Sequence, residues 1–164
     1  MNALFEADLP FTLFNHNVSV FGHEDIIIPI RSIVKEILSQ LPNDSFDIIY
    51  QDGNRILEHI FLDIELAKPK VKDGGYLVGD DLAVQAYEAN QKEMYIAIDL
   101  NIEMIKDSLT GQIYMPGLSL AVSKCFEQVG VKDGFWWVNR DGKTWKSTDY
   151  PTISGIPKHI LKWL

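Results

Sequence analysis

Three aspartates follow two short apolar stretches and form the part of the sequence best suited to chemistry. Asp52 comes after the β-rich run "FDIIY" at residues 46–50, and the adjacent pair Asp80 and Asp81 follows "YLVG" at residues 76–79. Neighbouring parallel strands lie ~4.8 Å apart, so these carboxylates converge on one rim if the two strands are neighbours. Carboxylates this close would repel each other unless a cation lay between them. A hard cation such as Mg²⁺ accepts a set of ligands that are all oxygens.

Ordinary backbone chemistry also explains the same three residues. An Asp-Asp pair after a strand can cap a following helix, and Asp-Gly after a strand is common turn chemistry. The spacing alone leaves both interpretations open.

The segments around the aspartates predict a strand, a helix and a strand over residues 46–79. Apolar residues recur on one face of residues 54–70, which is typical of an amphipathic helix, and "KDGG" at 72–75 supplies glycine at its end. A right-handed crossover between parallel strands is the expected packing. Ligands of such sheets bind beyond the carboxyl ends of the strands.

The flanking regions predict further elements. Residues 1–22 show a weak helical pattern broken at Pro10, "DIIIPI" at 25–30 indicates a short buried strand, and residues 33–41 fit a helix. Residues 82–109 look mostly helical and 110–117 form a loop. A helix closed by Gly130 and a hairpin turning at "NRDG" follow. Alternation in the hairpin predicts Trp136 and Trp137 on opposite faces, one in the core and one outside. We expect His159 to be exposed.

Composition restricts the possible partners. The net charge of −8 opposes binding to nucleic acid or to an anionic membrane and suits small molecules, cations or a neutral partner. Cys125 is the one cysteine, so no internal disulfide forms, and its helical setting favours a buried structural thiol. The chain shows no signal-peptide pattern and no apolar run of ~20 residues. The cytoplasm is the expected compartment.

The stretch "SFDIIYQDGNRILEHIFLDIELAKPKVKDGGYLVGDDL", residues 45–82, resembles the central part of class I S-adenosylmethionine-dependent methyltransferases. The similarity is strongest to a metal-dependent O-methyltransferase-like group, and "PGLSLAVSKCFEQV" with "DGFWWVNRDG" fits the later helix and final strand pair of that group. The resemblance implies an α/β fold with a Rossmann-like sheet, mostly parallel with a C-terminal antiparallel hairpin. It also implies that the N-terminal strands are missing and that residues 1–164 form one domain, complete or truncated.

The resemblance also implies roles for individual residues. Asp52, Asp80 and Asp81 match the acids that hold Mg²⁺ in metal-dependent members, and Asp52 and Asp80 are the candidate catalytic residues. Arg31 and Ser32 match the strand end that approaches the adenine of S-adenosylmethionine, while Gln51 and Asp52 would line the same cofactor pocket. Tyrosines and methionines between residues 83 and 116 would either line an acceptor pocket or pack a lid helix: Tyr87, Met94, Tyr95, Met104, Tyr114 and Met115.

Two departures from the family pattern leave the function open. "DGNR" at 52–55 replaces the usual "DGDH", and the glycine-rich turn that approaches the methionine end of the cofactor is not visible, since Gly22 is the only glycine among the first fifty residues. The resemblance predicts that the chain is a methyltransferase that acts on a small-molecule hydroxyl or amine. The alternatives are a fragment, a homologue whose sheet another chain or a homo-oligomer completes, and a non-catalytic module that no longer binds the cofactor.

Overall fold

The computed structural model describes residues 3–149, with side chains from residue 9 onward, so His159 lies outside the described residues. The chain divides into two compact units, Met1–Ile37 and Leu38–Leu164. Within the first unit, helix α1 spans Ala3–Val20 and continues through Pro10. The predicted break at this proline is wrong: a proline removes one backbone N–H donor, and the helix here continues without it.

The predicted strand at residues 25–30 is also wrong. This stretch forms a turn followed by irregular backbone, and Ile26 and Ile28 are 71% and 81% exposed. A strand needs a neighbour to pair its backbone groups, and none of the described strands pairs with this segment. The next predicted helix is confirmed as α2, Val34–Gln40.

A five-stranded mixed sheet forms the centre of the second unit. Strands β1 (Phe46–Gln51) and β2 (Val71–Gly79) are parallel, and β2 pairs in antiparallel fashion with β6 (Phe135–Asp141). Strands β5 (Gly130–Lys132) and β7 (Thr144–Lys146) pair with β6, also in antiparallel fashion. The α/β class with its C-terminal antiparallel hairpin is therefore confirmed, and the parallel part of the described sheet is the β1–β2 pair.

The predicted strand–helix–strand unit is present with shifted bounds. Helix α3 spans Leu57–Ala67 and is followed by a short 3₁₀ turn, Lys68–Lys70. It begins after the predicted start because the Asn54 side chain accepts the Ile56 N–H at 2.8 Å in a local turn. The "KDGG" segment does not end the helix, since it lies inside β2. Gly75 is required there because a Cβ atom would lie 2.8 Å from the Asp47 carbonyl.

Two further helices and a pair of short strands belong to the described part of the second unit. Helix α5 (Pro116–Cys125) packs with α3 against the sheet, and buried Ile64, Leu77 and Trp136 belong to the resulting core. The long helical region predicted for 82–109 is wrong except for α4 (Gln91–Asp99), which begins where the Asn90 side chain accepts the Glu93 N–H. Part of the predicted loop at 110–117 pairs instead, as β3 (Ile105–Lys106) with β4 (Ile113–Tyr114).

The C-terminal hairpin turns later than predicted. Residues 139–141 of "NRDG" belong to β6, and the turn is made at Gly142, where φ is +59°. Trp136 and Trp137 are both buried, at 0% and 4% exposure, so the expectation of one outward-facing ring is wrong. The indole N–H of Trp137 donates to the Thr148 carbonyl at 3.0 Å, which covers the face expected to be open.

Cys125 lies half-buried at the end of α5, and burial raises the pKa of its thiol to about 12. A thiol with this pKa is neutral near pH 7 and a poor nucleophile. Among residues 3–149, no helix has the length and apolar character needed to cross a membrane.

Candidate functional site

The ends of β1 and β2 bring the acidic residues together. The last paired residues of the parallel register are Gln51 and Gly79, so Asp52 and Asp80 leave the sheet at neighbouring positions. Asp52, Asp80 and Asp81 all line one small cleft, which also includes Gln51. The shared rim inferred from strand spacing is therefore present, and the roles of these carboxylates stay predictions.

Tyr50 is a member of this site that the sequence reasoning missed. Its hydroxyl donates a hydrogen bond to Asp80 Oδ2 at 2.6 Å. This hydrogen bond, loss of hydration and the charges of Asp80, Asp52 and Asp81 raise the pKa of the Tyr50 phenol to about 12, so it stays a neutral donor near pH 7. The signal in the sequence was its position two residues before Asp52, because side chains two apart in a strand share a face.

The backbone at the end of β2 is tightly constrained. Gly79 leaves no room for a side chain, since a Cβ atom would lie 2.7 Å from Trp136 Nε1 and 2.8 Å from the Gln51 carbonyl. Two residues later Asp81 adopts φ of +62°, and its carbonyl accepts the Ala83 N–H at 3.0 Å. Aspartate is one of the few non-glycine residues that take this conformation readily, which accounts for part of the Asp-Asp pattern.

A buried carboxylate supports the end of β1 from behind. Asp63 lies on α3 with 9% of its surface exposed. Burial raises the pKa of its carboxyl, while a hydrogen bond from the Gln51 side chain and the charge of His59 lower it in part. A Cβ atom on Gly53 would lie 3.1 Å from Gln51 Nε2 and 3.6 Å from Asp63 Oδ2. Asp63 therefore anchors Gln51 and packs beneath the turn that carries Asp52.

The two predicted adenine-contacting residues belong to the first unit. The guanidinium of Arg31 lies over the Phe11 ring, 5.8 Å from its centre. The Ser32 hydroxyl donates to the Ile33 carbonyl at 3.4 Å. Their role toward a cofactor stays a prediction, as does that of Gln51.

A second and larger cleft, of about 590 Å³, adjoins the same aspartates. Asp80 and Asp81 line both clefts, and this volume suits a small molecule. Met104, Tyr114 and Met115 line it, in agreement with the acceptor-pocket alternative for the residues between 83 and 116. Met94 is instead a buried residue of α4, in a second and smaller core cluster, and Tyr87 and Tyr95 are 73% and 49% exposed.

The residues of the cleft fit Mg²⁺ in donor chemistry and not in arrangement. Carboxylate oxygens are the ligands that Mg²⁺ prefers. However, the described residues contain no group of three or more His, Cys, Asp or Glu side chains placed to hold a metal ion.

Comparison with known proteins gives one family match and one structural neighbour. Residues 7–82 match the family model described as a methyltransferase domain. Comparison with curated proteins gives no match. A Corynebacterium glutamicum protein of known crystal structure shares the fold with a TM-score of 0.50 and 18% identity, over 79% of this chain and 57% of that one. This chain thus spans little more than half the length of that neighbour.

The matched segment ends at Leu82, directly after the aspartates, so it contains both acidic strand ends. The Rossmann-like arrangement of β1, α3 and β2 agrees with the match. The match confirms the resemblance found in residues 45–82: residues 7–82 of this chain are similar to a methyltransferase domain.

Proposed function

We propose that the protein transfers a methyl group from S-adenosylmethionine to a hydroxyl or amine of a small molecule, with Asp52 and Asp80 at the reacting atoms. The observation that carries this proposal is the parallel pairing of Gln51 with Gly79, which sets the two aspartates side by side at the edge of a cleft. Ligands of open α/β sheets bind beyond the carboxyl ends of the strands, which is where these aspartates lie.

The sulfonium of the cofactor, when bound, supplies an already activated methyl group, so the protein must mainly align an acceptor atom for attack. Oδ2 of Asp80 accepts from Tyr50, which leaves Oδ1 as the acceptor for a substrate O–H or N–H. Asp52 lies beside Gln51 on the side of the smaller cleft, where we propose that both contact the cofactor. Arg31 and Ser32 are the proposed adenine contacts.

Assistance by Mg²⁺ bound to Asp52, Asp80 and Asp81 is supported by donor type and by the shared cleft. Because the described side chains are not arranged as a ligand set, the roles proposed for Asp52 and Asp80 do not depend on the ion. Titration of the protein with Mg²⁺, followed by calorimetry and by transfer rates with and without EDTA, tests this part separately. A cytoplasmic location belongs to the same proposal and is supported by the single cysteine.

The central test measures cofactor binding and methyl transfer on the same preparations. Calorimetry should detect micromolar binding of S-adenosylmethionine, and isotope-labelled cofactor should methylate members of a panel of small alcohols and amines. Asp80→Asn should slow transfer about 100-fold while cofactor binding persists. Glu127→Gln removes an exposed charge outside both clefts and should change neither. Unchanged transfer in both Asp52→Asn and Asp80→Asn would overturn the assignment.

A non-catalytic interaction module on the same scaffold is the second candidate. The specific observation in its favour is the sequence before β1, where no glycine-rich turn of the family type occurs. The calorimetric measurement separates the candidates, because a module that has lost the cofactor site gives no heat with S-adenosylmethionine.

We also propose that a second copy of the chain pairs along β1. In the described part of the sheet β1 has a partner on one side only, and Ile48 and Tyr50 on it are 62% and 52% exposed. The unpaired N–H and C=O groups of an edge strand are self-complementary in a two-fold arrangement. Light scattering should show a dimer that Ile48→Lys dissociates, and a monomer in the parent protein would refute the proposal.

A further inference from the structure

The cleft beside Asp80 and Asp81 has the charge and wall chemistry of a site for a cation. We propose that its occupant, the methyl acceptor, carries a protonated or quaternary ammonium group next to an apolar or aromatic body, and that a separate uncharged hydroxyl or amine of the same molecule takes the methyl group. This inference rests on the proposed function, because it takes the larger cleft as the acceptor site.

Three carboxylates line the cleft, and none of its lining residues in the described chain carries a positive charge. Asp80, Asp81 and Asp133 line it, whereas the lining residues of the described chain include no Lys, Arg or His. All three carboxylates would repel an anionic acceptor, whereas they would attract a cation. The side chain of Asp133 belongs to neither parallel strand end, so it adds charge that the family-like acid pattern does not contain.

The position of Asp133 is fixed by a tight turn. Lys132 pairs with Phe135, so Asp133 and Gly134 form a two-residue hairpin loop, with φ values of +53° and +83°. Positive φ at both positions is typical of a type I′ turn, which accepts Asp-Gly or Asn-Gly. The Leu82 N–H donates to the Gly134 carbonyl at 2.9 Å, which ties this turn to the backbone just after Asp81.

The remaining walls suit the apolar part of such a molecule. Met104, Met115 and Val131 supply aliphatic surface. The ring of Phe135 also lines the cleft and is stacked between Tyr50 and Trp137, with ring centres 6.3 and 6.4 Å away. The carboxylates therefore attract the charge of the molecule, and these walls accept its apolar body.

The test compares three probes of one shape and different charge: 2-phenylethylamine, 2-phenylethanol and 3-phenylpropionate. Dissociation constants come from ¹H–¹⁵N chemical-shift titrations of the whole chain at low salt in EDTA. The amine should bind at least about tenfold more tightly than the alcohol, and the carboxylate should bind most weakly. Added salt should reduce the difference.

Asp133→Asn is the matched variant, since asparagine keeps the turn and removes only the charge. It should weaken binding of the amine about threefold to fivefold and leave the alcohol unchanged, the size expected for an exposed charge. Glu127→Gln changes the net charge equally outside the cleft and should alter neither probe. Excess Mg²⁺ in place of EDTA should weaken binding of the amine if the ion binds the same carboxylates.

Equal affinity for amine and alcohol, or an amine affinity that Asp133→Asn does not change, would overturn the inference. A protein that binds S-adenosylmethionine and methylates a neutral alcohol without preferring the amine would refute the cation site and leave the proposed transfer intact. A protein that prefers the amine and does not bind S-adenosylmethionine would support the cation site and refute the proposed methyl transfer.

Discussion

Replacement of Asp63 tests whether a buried carboxylate holds the end of β1 in place. Asp63→Ala removes the acceptor of the Gln51 side-chain amide, and a buried donor left unsatisfied costs ~1–3 kcal/mol. For a chain of 164 residues, each 1 kcal/mol corresponds to roughly 2–4 °C in melting temperature. Asp63→Asn keeps a side-chain oxygen in the same place and should stay within about 1 kcal/mol of the parent protein.

The pH dependence gives the same prediction a second measurement. Because burial raises the pKa of the Asp63 carboxyl, the folded state holds this proton more tightly than the unfolded chain does. The contribution of Asp63 to stability is therefore fully present below the ordinary carboxyl pKa and is lost as pH rises through the raised folded pKa. Asp63→Asn lacks this loss, so its stability relative to the parent protein should increase over that range.

Urea unfolding of the three proteins at several pH values between 4 and 7 measures both effects. The difference between the parent protein and Asp63→Asn removes the contributions of the other carboxylates. If Asp63→Ala is as stable as Asp63→Asn at neutral pH, and the two show the same pH dependence as the parent, then Asp63 does not support Gln51 as described.

Three further changes probe the site and its surroundings. Gly79→Ala places a Cβ atom 2.7 Å from Trp136 Nε1 and should cost about 1–3 kcal/mol in urea unfolding, and an unchanged midpoint would contradict the packing. Asp80→Asn should lower the pKa of the Tyr50 phenol from about 12 toward its ordinary value. Absorbance titration measures this pKa, with Tyr50→Phe as the control that identifies the signal of Tyr50. Burial alone would raise the pKa of Asp107, but hydrogen bonds from the backbone of Asn90, Thr110 and Leu109 outweigh it and lower the pKa. The stability that this carboxylate adds should thus vanish as pH falls through its folded pKa. Asp107→Asn should therefore lose less stability in acid than the parent protein does.

The parts of the fold that the sequence predicted are those whose own periodicity decides them. The run at 46–50 and the apolar face of α3 each match a single regular structure, and both form as predicted within a few residues. The glycines at 74 and 75 were misread because glycine is frequent at helix ends. Here Gly74 takes a φ of +77°, and Gly75 lies against the carbonyl of Asp47 on the neighbouring strand.

The errors fall where tertiary packing decides the outcome. Residues 25–30 carry a strong apolar pattern, yet an apolar run forms a strand only when a neighbour pairs with it, and no described strand does. Alternation alone predicts that Trp136 and Trp137 lie on opposite faces, with one ring in the core and one outside. Alternation says which rings share a face, and it cannot say that the segment at Thr148 covers the second face.

The candidate site divides in the same way. The position of Asp52 next to Asp80 follows from local rules, since two parallel strands that end in register must carry their next residues to one edge. Asp133 comes from a hairpin loop some fifty residues away, and only the antiparallel pairing of β6 with β2 brings that loop beside Asp81. In this chain the acids that match the family pattern directly follow the ends of two parallel strands, and the residue proposed to select the acceptor lies on the turn between β5 and β6. If the turn selects the acceptor as proposed, mutation of the turn should change the preferred acceptor, while the strand ends and the transfer proposed for them stay the same.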